Sequence, residues 1–172
     1  MLKKNALKRW LTAVALPVAL AQAHTAAADT ASPVAAPAGT QEIKSLVATG
    51  VQVYSCEYDA AHHLNWKFKN PLASLYDDHG QLLVHHFAGP SWRAADGSEI
   101  KGQVLAQAPG QTPGAIPWLL LKTTSTGGDG LLSTVHYVRR VDTVGGAAPS
   151  EPCMKEHETG DSPYFAHYIF LQ

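Results

Sequence analysis

Cysteine is scarce in this chain, with only two residues among 172, Cys56 and Cys153. No Cys-x-x-Cys motif is present, so the sequence gives no sign of a thiolate redox pair. Metal sites usually draw on more than two isolated cysteines, which makes a metal ligand, like a free reactive thiol, the less favoured alternative. We predict a disulfide between the two cysteines, because the chain begins with a pattern that directs proteins to an oxidising compartment.

Long apolar runs are missing as well. The longest, residues 10–20, covers 11 residues, whereas a membrane-spanning helix needs about 20. It follows a basic head and precedes Ala21-Gln22-Ala23, and this three-part pattern is typical of a secretory signal. We therefore predict a signal peptide over residues 1–23, with a second possible cleavage site after Ala28. The expected product is periplasmic or secreted and has no transmembrane segment.

Basic residues are few once the signal is set aside. The signal carries four of the 13 Lys and Arg and none of the 14 Asp and Glu, so nine basic and 14 acidic residues remain. The resulting net charge of −5, with neutral histidines, argues against a nucleic-acid partner, which would need a basic surface. Residues 24–40 are mostly Ala, Pro, Ser and Thr, and this composition predicts a flexible leader.

Helical periodicity is also absent. After residue 40, no window places apolar residues at helical spacing with caps at both ends. Residues 64–68 instead alternate apolar and polar side chains, which is the period of a half-buried strand. Thr49-Gly50 is predicted to form a hairpin turn between strands over 43–48 and 51–58. About eight such segments predict one all-β domain over residues 41–172, a β-sandwich or jelly-roll-like barrel with one disulfide.

No segment carries the signature of a familiar catalytic or cofactor site. There is no G-x-S-x-G nucleophile elbow, and the adjacent acids Asp77-Asp78 fit a turn better than the facing carboxylates of a glycosidase. The glycine-rich residues 127–130 lack the Lys-Ser/Thr of a phosphate loop and the spacing of an EF-hand. We therefore predict no cofactor and favour a noncatalytic module that binds a small molecule or an envelope component.

Nine histidines keep a metal-dependent enzyme or metal carrier open as the alternative. Neutral imidazole is the commonest metal ligand in proteins. His85 and His86 are adjacent in a predicted strand, so their side chains point to opposite faces and cannot hold one ion together. The candidate ligands are His86, His136 and His167, although the last two also fit as core histidines that bond a backbone carbonyl.

One histidine and two tryptophans are candidates for the wall of a ligand pocket. His86 precedes a bend at Gly89-Pro90 and Trp92 follows it, so both are placed to wall a pocket there, with Trp118 as a further wall. The alternative is that Gly89-Pro90 simply makes a corner and Trp92 fills the core beneath it, since aromatic residues in small β domains mostly serve packing.

Two consecutive arginines offer a charged candidate. Arg139 and Arg140 lie in a predicted strand and point to opposite faces, so at least one faces inward. An inward arginine either pairs with an acid such as Asp142 or receives an anionic ligand through its planar guanidinium. We take Arg139 as the candidate ligand-binding residue and keep the structural ion pair as the alternative.

Several uncommon strings occur in a fixed order along the chain. They are residues 50–56 (GVQVYSC), 86–92 (HFAGPSW), 96–98 (DGS), 115–121 (AIPWLLL), 142–146 (DTVGG) and Pro163-Tyr164. Because of these strings, residues 39–172 resemble the family catalogued as domain of unknown function 3455. The members of that family are exported proteins of bacteria and fungi. The resemblance implies an exported protein and no particular activity. Some fungal members carry a malate dehydrogenase label, but this sequence has no G-x-G-x-x-G after a strand and no βαβ spacing.

Overall fold

The computed structural model of the protein describes residues 32–172, so the predicted signal peptide and the start of the predicted leader lie outside the described residues. The described part is all-β and contains eight strands, as the alternating pattern predicts. Within residues 32–172, the structure has no helix with the length and apolarity to cross a membrane. The strands are β1 (Glu42–Tyr58), β2 (Leu64–Tyr76), β3 (Leu82–Phe87), β4 (Ser91–Ala94), β5 (Glu99–Ala108), β6 (Trp118–Ser125), β7 (Tyr137–Gly145) and β8 (Thr159–Leu171).

The eight strands close into a single antiparallel barrel. Each strand pairs with the next one in the sequence, and β8 pairs with β1 to complete the circle. Connections this short can join only neighbouring antiparallel strands. The first four connections are residues 59–63, 77–81, 88–90 and 95–98. The order is therefore that of an up-and-down barrel, and it differs from the predicted sandwich or jelly roll, whose strands switch between sheets through longer connections.

Strand β1 is continuous where the sequence predicts a hairpin turn. Gly50 lies in its middle and pairs with Ala73 of β2 and Tyr164 of β8, so the predicted turn at Thr49-Gly50 is wrong. A Cβ at Gly50 would overlap the carbonyl oxygen of Leu72. Glycine is present here because the backbone of β2 comes too close for any side chain. A close approach of this kind is a common reason for a glycine within a strand.

The substitution Gly50→Ala tests this close approach. The added methyl would push β2 away from β1, and we expect the free energy of unfolding to fall by about 1 to 3 kcal/mol in urea denaturation. Gly128→Ala is the matched control, because a Cβ at Gly128 meets nothing within 4 Å. Equal stability of the two variants would contradict the close contact.

The two ends of the barrel interior are filled differently. One end is packed with fully buried aliphatic and aromatic side chains, namely Leu46, Leu75, Val84, Ile100, Val138 and Phe170. Further along β1, the inward positions change to the polar Gln52 and Tyr54, which line a cavity. The apolar end supplies the core of the fold, and the polar change along β1 marks where the cavity begins.

The predicted disulfide is present and joins the first strand to the connection before the last. Cys56, near the end of β1, is bonded to Cys153 with their Cα atoms 5.7 Å apart, and both side chains are buried. The amide of His157 donates to the carbonyl of Cys56 at 2.8 Å. These contacts fasten residues 146–158 to the end of the barrel.

The last part of the predicted flexible leader is attached to the barrel, which differs from the prediction for residues 32–40. The side chain of Val34 is 0% exposed, and the Nε of Arg139 donates to the Val34 carbonyl at 2.7 Å. Val34 is the only Val, Leu, Ile or Met among residues 24–40. It therefore gives this segment the apolar area that the rest of its composition lacks.

Candidate functional site

A cavity of about 560 Å³ opens at the polar end of the barrel. Its rim includes Phe68 and Val104, which are 53% and 47% exposed. The wall is mostly apolar and aromatic, with polar groups from several strands. The lining residues are Gln52, Tyr54, Phe68, Lys69, Pro71, His86, Gly89, Pro90, Trp92, Val104, Ile116, Pro117, Leu119, Leu121, Arg140 and Tyr168.

Three rings form a buried layer in the wall. His86 of β3 and Trp92 of β4 are paired across the hairpin, and side chains paired in this way share one face of a sheet. Their rings stack with centroids 4.6 Å apart and planes 8° apart. Tyr168 of β8 packs against both, with its centroid 5.2 Å from that of His86. The short link at Gly89-Pro90 brings His86 and Trp92 together.

His86 is neutral in this layer. Its Nδ1 lies 2.9 Å from the carbonyl oxygen of Ser91. A carbonyl only accepts hydrogen bonds, so Nδ1 carries the ring proton and Nε2 holds a lone pair. Burial of the ring lowers the pKa of His86 to about 3, because the charged form would lose its hydration. The nearby charge of Arg140 lowers the pKa further, while the bond to Ser91 opposes the shift.

Arg140 is the positive charge in the wall. It is 9% exposed, and its Nε and Nη2 donate to the carbonyl of Pro117 at 3.2 and 2.9 Å. Burial raises the pKa values of the Tyr54 and Tyr168 hydroxyls, and the charge of Arg140 opposes this rise. Among residues 32–172, no carboxylate forms an ion pair with Arg140. The guanidinium is thus held by two neutral oxygens, the carbonyl of Pro117 and the hydroxyl of Tyr168, and its five N–H groups exceed the bonds that it makes with them.

Two further donors in the wall have no hydrogen-bond partner within the described chain. They are the Nε2 of Gln52 and the Nε1 of Trp92. Gln52 is 2% exposed, and its amide sits on the inward face of β1. Its side chain is close enough to the Tyr164 hydroxyl to oppose the rise in the pKa of Tyr164 that burial causes, but Nε2 does not reach hydrogen-bonding geometry with it. Buried polar groups in folded proteins nearly always have a partner. The cavity wall therefore combines a cation with two neutral N–H groups that are free to donate.

A family model described as protein of unknown function (DUF3455) matches residues 37–172, which is most of the chain and all of the barrel. The chain belongs to the DUF3455 family. Every residue that lines the cavity lies within the matched region. Searches of curated proteins and of solved structures each gave no match.

Two of the three aromatic and imidazole side chains predicted to wall a pocket line the cavity of the DUF3455 barrel. His86 and Trp92 line it, whereas Trp118 does not, although its neighbours Pro117 and Leu119 do. Gln52 was missed. Its signal is the alternation of β1, in which every second residue from Leu46 onward faces the interior.

The candidate arginine, Arg139, does not line the cavity, but its neighbour Arg140 does. Arg140 lines the cavity of the DUF3455 barrel, while Arg139 is on the opposite face of β7 and holds the carbonyl of Val34. Asp142, the suggested partner of an inward arginine, lies instead beside His167, with its Oδ2 3.1 Å from the Nδ1 of that histidine.

The three histidines suggested as metal ligands do not meet in the DUF3455 barrel. His86 is buried inside, whereas His136 and His167 are exposed. In the part of the chain that the structure describes, the only three ligand atoms within 4.8 Å of one another come from Glu57, Glu156 and His157. The predicted three-histidine site is thus not formed, because His86 faces the interior, whereas His136, which precedes β7, and His167 of β8 face the solvent.

The surface group around Glu57 is accounted for by its own ion pairs. Lys69 lies 2.8 Å from one carboxylate oxygen of Glu57, and His157 lies 3.2 Å from the other. The hydrogen bond from Lys69 is the main reason why the pKa of Glu57 is lowered to about 2. Lys69 and His157 already occupy both carboxylate oxygens of Glu57, so this group of the DUF3455 domain is a surface network of side chains.

Proposed function

We propose that this DUF3455 protein is a noncatalytic binding module that holds a small molecule, or part of an envelope component, inside its barrel. The observation that carries the proposal is the pair of buried, unpartnered donors on Gln52 and Trp92 in the wall of an open cavity. The disulfide between Cys56 and Cys153 is compatible with the periplasmic or extracellular location that the proposal includes.

The energetic cost of the unpaired donors supports a ligand. Leaving one buried N–H without a partner costs about 1 to 3 kcal/mol. A fold could avoid this cost with an aliphatic side chain at the position of Gln52. Donors kept at such a cost are typical of a binding site, where the ligand supplies the acceptors.

The shape and lining of the interior also support binding. The interior of an eight-stranded barrel is either filled by side chains or holds one small ligand. Here the end around Leu46 and Phe170 is filled, and the other end keeps a volume within the usual range for ligand pockets, about 300 to 1,000 Å³. The exposed apolar residues Phe68 and Val104 at the rim offer an entry that suits a partly apolar molecule.

The chemistry of the lining favours binding over catalysis. None of the residues that line the cavity is Asp, Glu, Ser, Thr or Cys. His86, the obvious general base, has its pKa lowered to about 3. A base this weak is poorly matched to proton abstraction near neutral pH.

A pair of neighbouring substitutions on β5 tests the proposal. Val104 lines the cavity, whereas Leu105 is exposed and is not part of the lining. In a fluorescence titration with the neutral apolar dye N-phenyl-naphthylamine, we expect Val104→Trp to weaken binding about 10-fold or more by filling the mouth, and Leu105→Trp to leave it unchanged. Absence of dye binding by the unaltered protein, or equal binding by both variants, would count against the proposal.

A further inference from the structure

We infer that the ligand class is an organic monoanion, a carboxylate on an apolar body, and that its carboxylate binds Arg140. This inference rests on the proposed function and adds the chemistry of the ligand. It follows from the charge, the hydrogen-bonding groups and the apolar lining of the same cavity.

Arg140 is a buried positive charge in the cavity wall. A guanidinium that is nine-tenths buried loses much of its hydration, and proteins normally compensate for this with a carboxylate. In residues 32–172 Arg140 has none, and its partners are neutral, namely the carbonyl of Pro117 and the hydroxyl of Tyr168. The two bonds to Pro117 fix the orientation of the guanidinium before a ligand arrives. An incoming carboxylate therefore meets a prearranged donor and loses little further entropy.

The unpaired polar atoms of the cavity wall are hydrogen-bond donors. Gln52 Nε2, Trp92 Nε1 and the free guanidinium N–H groups are all donors. An ionised carboxylate only accepts hydrogen bonds, and its two oxygens can accept several at once. A neutral amide or alcohol would accept fewer and would leave more of these donors without a partner.

Two cationic side chains line the cavity, and in the described part of the chain only one of them lacks an acidic partner. Lys69 also lines the cavity, but its ammonium lies 2.8 Å from Glu57, which neutralises it. Within the described residues Arg140 is thus the one cation of the lining that has no acidic partner. One unpaired positive charge matches a monoanion better than a doubly charged phosphate.

Most of the remaining lining of the cavity is apolar or aromatic. Beyond the polar groups, the cavity presents the apolar side chains of Phe68, Ile116 and Leu119 and the ring layer of His86, Trp92 and Tyr168. Such a surface gains free energy by covering an apolar body. The combination describes an amphiphilic acid with its charged end at Arg140.

The test is a calorimetric titration of the full chain with naphthoate and with naphthamide, which have the same ring system and differ in charge. We expect naphthoate to bind about 10-fold or more tightly than naphthamide, since charge-assisted hydrogen bonds are stronger than neutral ones. Arg140→Met should remove this preference. Arg139→Met, the matched control on the opposite face of the same strand, should keep it. Arg140→Lys, which retains the charge without the planar fork, should retain only part of it.

The outcomes separate this inference from the proposed function. Equal binding of naphthoate and naphthamide would overturn the carboxylate assignment and leave binding in the cavity standing. Tighter binding of naphthyl phosphate than of naphthoate would overturn the single charge. Failure of the neutral dye and of both naphthalene compounds to bind would overturn the proposed function as well. If Arg140→Met does not fold, the comparison of the two compounds on the unaltered protein still decides.

Discussion

Replacing both Cys56 and Cys153 with alanine is expected to lower the free energy of unfolding by about 3 to 5 kcal/mol. The bond joins residues 97 apart, so it removes a large part of the freedom of the unfolded chain. It also fastens the connection before β8, the strand that closes the barrel against β1. Urea denaturation of the oxidised unaltered protein and the double variant measures the loss.

The single variants are the internal control for this effect. Cys56→Ala and Cys153→Ala each remove the same bond, so each should lose about as much stability as the double variant. Clearly unequal losses, or a loss below about 1 kcal/mol, would contradict a stabilising link between β1 and the connection before β8.

Acidification is expected to destabilise the protein through His86. The folded state keeps this ring neutral down to a pKa of about 3, whereas the unfolded chain takes up the proton near the ordinary value of 6.5. Between these values the unfolded state binds the extra proton, so stability falls as the pH falls. For this one group the loss between pH 8 and pH 5 should be about 2 kcal/mol.

The pH slope of a variant isolates this contribution. His86→Asn removes the titrating ring and keeps an amide that can donate to Ser91, so its stability should change less between pH 8 and pH 5 than that of the unaltered protein. His85→Asn, at the adjacent exposed position, should keep the original slope. Denaturant midpoints at several pH values above 5 provide the measurement. Acids such as Glu57, whose ordinary pKa is 4.5, add their own destabilisation mainly below that range. Parallel slopes for the unaltered protein and His86→Asn would contradict a buried neutral imidazole.

Much of the fold could be predicted because its signals are local. Alternating apolar residues, short turns and two cysteines behind a pattern typical of a secretory signal are enough to predict an all-β domain of about eight strands with one disulfide. The closure of the barrel could not be predicted in the same way, because the pairing of β1 with β8 joins residues at opposite ends of the domain. Gly50 misled the prediction because a turn and a close backbone approach both require glycine.

The site could be predicted only in part, for a reason of register. Alternation shows that Arg139 and Arg140 face opposite ways, but which one faces inward depends on how β7 aligns with its neighbours. An irregularity between Val141 and Val144 in the pairing of β7 with β8 shifts that alignment. His86 and Trp92 were easier to place, because the hairpin that joins them is short.

The most direct test of a ligand-binding cavity follows the indole N–H resonances by NMR during titration with naphthoate and with naphthamide. Trp92 lies in the cavity wall with its Nε1 unpartnered, whereas the Nε1 of Trp66 donates to the carbonyl of Glu151 at 2.8 Å and serves as the reference. We expect the Trp92 resonance to shift in a saturable way while that of Trp66 stays in place. If neither compound moves Trp92 more than Trp66, the cavity is not the binding site.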